Sequence, residues 1–212
     1  MKIVFATGNR NKVKEAEEIL GKGFELVTPV EAGIDEDIPE TANSFRGNSL
    51  QKAKYIYEKT GLNCFADDSG LEVDILGGAP GVHTARYAGE SRDSDANMDK
   101  LLLEMARREG EATAMRGLGI STPHATRRAR FRTSVTLILG GETFFFDGTM
   151  EGTIGLEKRG AHGFGYDPVF LPLEAGGRTS AELSDEEKNA ISHRGKAMRA
   201  MAEFLRSKIE GK

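Results

Sequence analysis

The sequence predicts an α/β protein, and three observations carry that expectation. The chain opens with an apolar run, Ile3–Ala6, which passes through a polar turn, Thr7–Asn11, into a charged segment, Lys12–Leu20, read as a helix. A second apolar run, Asn63–Ala66, follows another helical segment, Ser44–Lys59. Further on, alternating apolar residues flank Gly140-Gly141, the signal of a β-hairpin.

The elements follow in order. Ile3–Ala6 is a strand, and Gly21 and Gly23 end the helix that follows it. Phe24–Val27 is a short strand, followed by a polar loop carrying Glu31, Asp35, Glu36, Asp37 and Glu40. In Ser44–Lys59, Phe45, Leu50, Ala53 and Tyr57 recur at helical spacing, and Gly61 marks the stop. Strand Asn63–Ala66 ends at a polar turn, Asp67–Gly70, and Gly77–Gly81 is a loop. Asn97–Arg108 is an amphipathic helix with Met98, Leu101, Leu102 and Met105 on one side. Glu109–Arg128 has no clear period and reads as an insertion or an extended helix end. Arg130–Leu139 and Glu142–Phe146 form the hairpin, Met150–Leu156 adds a further strand, and Val169–Leu171 is another. Ser184 and Glu187 make a capping box, and Ser192–Lys208 is the last helix, with Met198, Met201, Phe204 and Leu205 as its stripe.

A chain of 212 residues supports one sizeable core, or two lobes of a single domain spanning 1–212. A net charge of -4 argues against a general nucleic-acid binder, which needs excess Lys and Arg to neutralise phosphates. The basic run Arg127–Arg132 is the one local exception. Cys64 is the only cysteine, which excludes an internal disulfide framework and a cysteine zinc cluster. No stretch has the length and apolarity of a membrane span or the h-region of a signal peptide, so a cytoplasmic protein without membrane contact is expected.

Four groups of residues carry chemistry. Thr7-Gly8-Asn9 precedes a helix whose N-terminal dipole favours an anion, with Lys12 one turn on. It is not a Walker loop, and the plain alternative is a tight strand–helix turn. Asp67-Asp68-Ser69-Gly70 places two carboxylates side by side, which a divalent cation relieves. In an extended chain such neighbours face opposite ways, so one of them can face a metal while the other braces it. Gly163-Phe164-Gly165-Tyr166-Asp167-Pro168 combines aromatic faces suited to a flat base with glycines that let backbone approach its edges, or is simply an aromatic turn. Lys188, Ser192, His193 and Arg194 lie where two helices join. His and Arg at a helix start oppose the dipole, and an anionic ligand would resolve that conflict. His83, His124 and His162 show no metal-binding spacing.

Taken in order, these groups resemble the inosine triphosphate pyrophosphatase family. The matching pieces are T-G-N-x-x-K at Thr7–Lys12, A-D-D-S-G-L at Ala66–Leu71, G-G-A-P-G-V-x-x-A-R-Y at Gly77–Tyr87, G-F-G-Y-D-P at Gly163–Pro168 and E-E-K-x-x-I-S-H-R at Glu186–Arg194. The resemblance implies an elongated mixed sheet with flanking helices, in two lobes around a central active-site cleft, and a homodimer. It implies Mg²⁺-dependent hydrolysis of non-standard purine nucleoside triphosphates (ITP, dITP, XTP) to monophosphate and pyrophosphate. Thr7, Gly8, Asn9, Arg10, Asn11 and Lys12 would hold phosphates and ribose. Glu40 and Asp68 would bind the metal, with Asp68 also the proton acceptor, Lys12 its catalytic partner and Ser69 touching substrate. Phe164, Gly165, Tyr166 and Asp167 would read the base, and Lys188, His193 and Arg194 would close over base and phosphates. One departure is Gly47, which stands where the family carries an acidic residue before Asn48. Another is the stretch Glu109–Arg128, which has no assigned role. Two other readings stay open: a pyrophosphatase for pyrimidine or modified triphosphates, and a non-catalytic nucleotide sensor.

Overall fold

The structure, a computed structural model, describes residues 1–119 and 127–210, without the side chains of Asn11 and Glu210. His124 and part of the stretch Glu109–Arg128 lie outside the described residues. The α/β expectation is met: among the described residues a mixed six-stranded sheet in the order β2-β1-β3-β4-β5-β6 is flanked by helices. Its strands are β1 (Lys2–Phe5), β2 (Glu25–Val27), β3 (Cys64–Val73), β4 (Arg128–Leu139), β5 (Glu142–Ile154) and β6 (Phe170–Pro172). The helices are α1 (Arg10–Leu20), α2 (Phe45–Thr60), α3 (Ser94–Gly117), α4 (Asp185–Ile191) and α5 (His193–Glu210). β1 runs parallel to β2 and β3, and β5 pairs antiparallel with β6.

The chain divides into two compact units. The first comprises Met1–Ser69, Arg132–Thr149 and Ser192–Lys212. Strand alternation gives it two cores. Ile3 and Phe5 of β1 and Phe65 of β3 face one way and pack with Ala16 and Leu20 of α1 and Met198, Met201 and Leu205 of α5. The Phe5 and Phe65 rings, in register across the strands, stack at 4.3 Å. Val4 and Ala6, with Cys64 and Ala66, face the other way and pack with Ala53 and Ile56 of α2. Ser44 caps α2 by accepting from Gly47 N at 3.0 Å, and Gly61 stops it with φ 66°. Gly140 and Gly141 close the hairpin with φ 58° and 87°, the paired positive values of a type I′ turn.

The second unit comprises Gly70–Phe131 and Met150–Ile191. Its core joins Leu71 and Val73 of β3, Met98, Leu101 and Met105 of α3, and Tyr166, Val169 and Phe170. Asp93 caps α3 by accepting from Ala96 N at 2.9 Å. The Ser184–Glu187 capping box forms in both directions, with Ser184 N donating to Glu187 Oε2 at 2.9 Å and Glu187 N to Ser184 Oγ at 3.2 Å.

Two elements differ from the sequence expectation. β3 does not stop at a turn; it continues through Asp67-Asp68-Ser69-Gly70 to Val73. Aspartate and glycine are poor strand formers, but here each carboxylate finds partners that only the folded chain supplies. The return strand of the hairpin and the strand at Met150 are one, Glu142–Ile154, passing through Gly148. A Cβ on Gly148 would sit 2.0 Å from the carbonyl oxygen of His193, so this glycine lets α5 start directly against β5. Of the two readings of Glu109–Arg128, the extended helix end holds as far as Gly117, where α3 stops, and that end is charged and mostly solvent-facing.

Candidate active site

In the first unit, alternation along β3 decides the chemistry. Asp67 shares the parity of Phe65 and faces α1 and α5, whereas Asp68 shares the parity of Cys64 and Ala66 and faces α2.

On the α1 and α5 side, the Asp67 side chain is only 1% exposed. Lys12 Nζ donates to its Oδ1 at 3.0 Å and its Oδ2 at 2.9 Å, and Arg194 Nε donates to Oδ2 at 3.1 Å. Arg194 also donates from Nη1 to Glu15 Oε2 at 3.1 Å. Burial alone would raise the Asp67 pKa, but Lys12 and Arg194 overcome it and hold the carboxyl well below the usual range. Burial also lowers the Lys12 pKa, against the pull of Asp67. Ser69 Oγ lies 2.7 Å from Thr133 Oγ1 of β4 and 3.3 Å from Asp67 Oδ2. The anion that the start of α5 requires is thus Asp67, together with Glu15. The conflict of Arg194 with the helix dipole is resolved inside the protein, by carboxylates in the place where the sequence suggested an anionic ligand.

The turn before α1 keeps Gly8, Asn9 and Arg10 exposed. Asn9 N donates to Thr7 Oγ1 at 3.2 Å, and the Asn9 carbonyl accepts from Val13 N at 3.2 Å. The first turn of α1 holds no acidic residue, while Arg10 and Lys12 stand there as cations. That arrangement favours an external anion. A Cβ on Gly8 would meet no atom within 4 Å, so crowding within the protein does not demand a glycine there. Asn11 lies in the same turn of helix, with its side chain outside the described set.

On the α2 side, Asp68 Oδ2 accepts from Asn48 Nδ2 at 2.9 Å. Burial raises the Asp68 pKa; nearby Lys52 and the Asn48 amide oppose the rise, while Glu40 and Asp67 add to it. Lys52 Nζ lies 2.5 Å from Glu40 Oε1, with the lysine buried and the glutamate partly open. Glu40 and Asp68 are therefore two carboxylates sharing one lysine field. Sequence reasoning missed Asn48 and Lys52. Their signal was present: Asn48 and Lys52 stand at i and i+4 of a helix, polar residues among its buried positions. Gly47 leaves room for the loop, since a Cβ there would lie 2.7 Å from Ala42 Cβ.

In the second unit, Phe164 is 57% exposed, whereas Tyr166 is 2% exposed and donates its hydroxyl to the Thr84 carbonyl at 2.9 Å. The ring of Tyr166 is a core ring, so the expected aromatic pair becomes one presented face, Phe164, on a loop supported by the other. Asp167 is buried, and its Oδ2 accepts from Phe164 N at 2.8 Å and from Lys188 Nζ at 2.6 Å. Lys188 Nζ also lies 4.8 Å from the centre of the Phe164 ring. Gly163 has φ 81° and a Cβ on it would strike Asp167 Oδ2 at 2.2 Å, so this glycine is required by the loop.

Comparison with known proteins adds to this geometry. Residues 3–204 match the Ham1 family. The chain is 47% identical over 204 residues to the dITP/XTP pyrophosphatase of Porphyromonas gingivalis, a match covering 96% of this chain and 97% of that one. It is 41% identical over 204 residues to the dITP/XTP pyrophosphatase of Bacillus subtilis, covering 95% and 96%. The solved structure of a HAM1 protein from Coxiella burnetii superposes with a TM-score of 0.86 at 34% identity, covering 98% and 99%. The crystal structure of the nucleoside-triphosphatase / dITP/XTP pyrophosphatase from Mycobacterium abscessus superposes with a TM-score of 0.75 at 40% identity, covering 95% and 98%.

Proposed function

The chain belongs to the Ham1 family, and from that premise we propose that it is a hydrolase that splits non-standard purine nucleoside triphosphates (dITP, ITP and XTP) into monophosphate and pyrophosphate. The observation that carries this reading is the division of Asp67 from Asp68. One carboxylate is neutralised by two cations, and its neighbour, beside Glu40, is held with a raised pKa.

The exposed N-terminus of α1, with Thr7, Gly8, Asn9, Arg10 and Asn11, takes the phosphates. Lys12 has three N–H donors, and two point at the oxygens of Asp67, which leaves the third for a phosphate oxygen. Water attacks the α-phosphorus, the bond from that phosphorus to the oxygen bridging the α- and β-phosphates breaks, pyrophosphate leaves, and Asp68 accepts the proton of the water; a raised pKa suits a carboxylate to that task. In the same reading Ser69 and His193 contact the substrate. Arg194 acts from behind, by fixing Asp67 and hence Lys12. The ring of Phe164 takes the face of the base, and Lys188 lies over the same ring. Donors to the 6-oxo group of hypoxanthine or xanthine leave adenine's amino group unmatched, which rejects ATP.

Glu40 and Asp68 fit a hard divalent cation. Both supply oxygen, and Mg²⁺ takes one or two protein carboxylates and completes its shell with water and phosphate oxygens. Among the described residues no group of three or more His, Cys, Asp or Glu gathers to hold a metal. When bound, Mg²⁺ would neutralise charge on the leaving pyrophosphate. The same reading includes a homodimer, implied by the family and tested by light scattering, and a cytoplasmic protein. Among the described residues no helix is long and apolar enough to cross a membrane.

Product analysis with ITP, XTP, dITP, GTP and ATP under Mg²⁺ tests the proposal. Monophosphate and pyrophosphate are expected from the first three, with GTP and ATP much slower. Release of orthophosphate, or equal rates on ATP, overturns it.

A further inference from the structure

Three consecutive loop residues are held by one face of α2. Glu40 pairs with Lys52, Thr41 N donates to Gln51 Oε1 at 2.9 Å, and Ala42 N donates to Asn48 Oδ1 at 2.8 Å. Asn48 differs from the other two in its second contact. It is 4% exposed, and its Nδ2 reaches across to Asp68 on β3 at 2.9 Å. The Ala42 N–H fixes which way the amide lies, because that donor must meet the oxygen. The NH₂ group is therefore committed to Asp68, and it can serve only an acceptor there.

We propose that Asn48 is a positioning residue for the metal-binding carboxylates, its buried amide setting the spacing between Asp68 on β3 and the loop that carries Glu40. This inference rests on the proposed function and deepens it. Two carboxylates facing a common cation field repel each other while the cation is absent, and Asp68 is free to rotate about its side-chain bonds unless a donor holds it. Asn48 supplies that donor from a helix already anchored by Phe45, Ala53 and Ile56. A lysine at this position would supply charge but could not accept from Ala42, and an aspartate would accept from Ala42 but repel Asp68. Of the side chains of this length, the asparagine amide satisfies both contacts. This also gives a physical sense to Gly47 beside it, where a side chain would push against Ala42 and Ser44.

The test compares three variants with wild type in ITP hydrolysis at saturating Mg²⁺, in Mn²⁺ affinity of the substrate-free protein by electron paramagnetic resonance, and in thermal melts. Asn48→Ala removes both contacts. It should lower kcat by about 10-fold or more, the scale of a lost hydrogen bond to a charged group, with little change in KM, and should weaken Mn²⁺ binding. Gln51→Ala releases Thr41 alone and should keep both kcat and Mn²⁺ affinity close to wild type. Asn48→Asp keeps the acceptor for Ala42, so the loop stays tethered and the fold survives, yet kcat should fall at least as far as in Asn48→Ala. Wild-type kcat in Asn48→Asp overturns the proposal, as does Asn48→Ala that folds with unaltered Mn²⁺ affinity. Equal losses in Asn48→Ala and Gln51→Ala also overturn it, since they would show that loop tethering alone matters. A wild-type protein inactive on ITP, dITP and XTP but normal in Mn²⁺ binding would instead count against the substrate assignment and leave Asn48 to be judged by the metal affinities.

Discussion

The two sides of β3 treat the same side chain in opposite ways. Asp67 faces α1 and α5, where Lys12 and Arg194 enclose it and burial leaves almost nothing exposed. Asp68 faces α2, where an uncharged amide and a shared lysine leave its charge only partly compensated. The first is a neutralised structural anchor that also holds Lys12; the second is the carboxylate to which the proposed mechanism gives the proton and the metal. Adjacent identical residues can therefore divide structure from chemistry without any change of residue type. The device that divides them is strand alternation, because a turn at Asp67–Gly70 would have left both carboxylates in water.

Exchanging each aspartate for its amide tests that division most severely. Asp67→Asn leaves Lys12 and Arg194 buried against a neutral group, and breaking a buried ion pair typically costs about 3–5 kcal/mol. Chemical denaturation should show a loss of that order, with activity falling as Lys12 loses its guide. Asp68→Asn keeps an oxygen acceptor for Asn48 and should fold normally while kcat drops about 100-fold or more. If the stability and activity losses instead fall together on both variants, the two sides are not functionally distinct.

Arg194→Ala sharpens the comparison from the other partner. Seen from sequence alone, removing a cation from a helix start relieves the dipole conflict and could stabilise the empty protein slightly. The structure reverses the sign. Arg194 is 7% exposed and bonded to Asp67 and Glu15, so its loss should destabilise by about 1–3 kcal/mol, with Lys12 still neutralising Asp67. Melts of the substrate-free variant decide between the two, and a raised Tm would restore the sequence expectation.

The two carboxylates should also give pH dependences of opposite sign. An unfolded aspartate titrates near about 4. The Asp67 pKa in the folded chain is lower, so its contribution is fully present above that value and lost as the pH falls toward the folded one. The Asp68 pKa in the folded chain is higher, so its contribution is present below about 4 and lost as the pH rises through the folded value. Urea titrations across the acid range should show Asp67→Asn flattening the acid loss, and Asp68→Asn slightly raising stability near neutrality.

Much of this was legible in the sequence, and the rest was not for identifiable reasons. The strand at Ile3, the start of the strand at Cys64, the capping box at Ser184 and the Gly140-Gly141 turn follow from local pattern, and the structure repeats them within a residue or two. The continuation of β3 through Asp67–Gly70 was hidden, because the groups that make charged strand residues tolerable come from positions 12, 48, 133 and 194. Long-range partners also hid the destination of Arg194, whose anion lies 127 residues away in sequence. Asn48 and Lys52 were hidden by emphasis on apolar spacing, since the buried face of α2 includes polar residues. Tyr166 was misjudged because a motif shows which residues are aromatic and not which way each ring turns.

That last point yields the smallest and most specific test, on the loop of the second unit. Tyr166 and Phe164 are two residues apart, yet one ring is in the core and the other is open to solvent. Tyr166→Phe removes only the bond to the Thr84 carbonyl and should cost about 1 kcal/mol of stability, leaving KM for ITP nearly unchanged. Phe164→Ala removes an exposed ring over which Lys188 lies, so melting should hardly move. If that ring takes the face of the base, KM should rise by about 5-fold to 100-fold, the scale of a lost base–aromatic stack. A raised KM in Tyr166→Phe with none in Phe164→Ala would invert the assignment and make the buried ring the one that moves to meet the base.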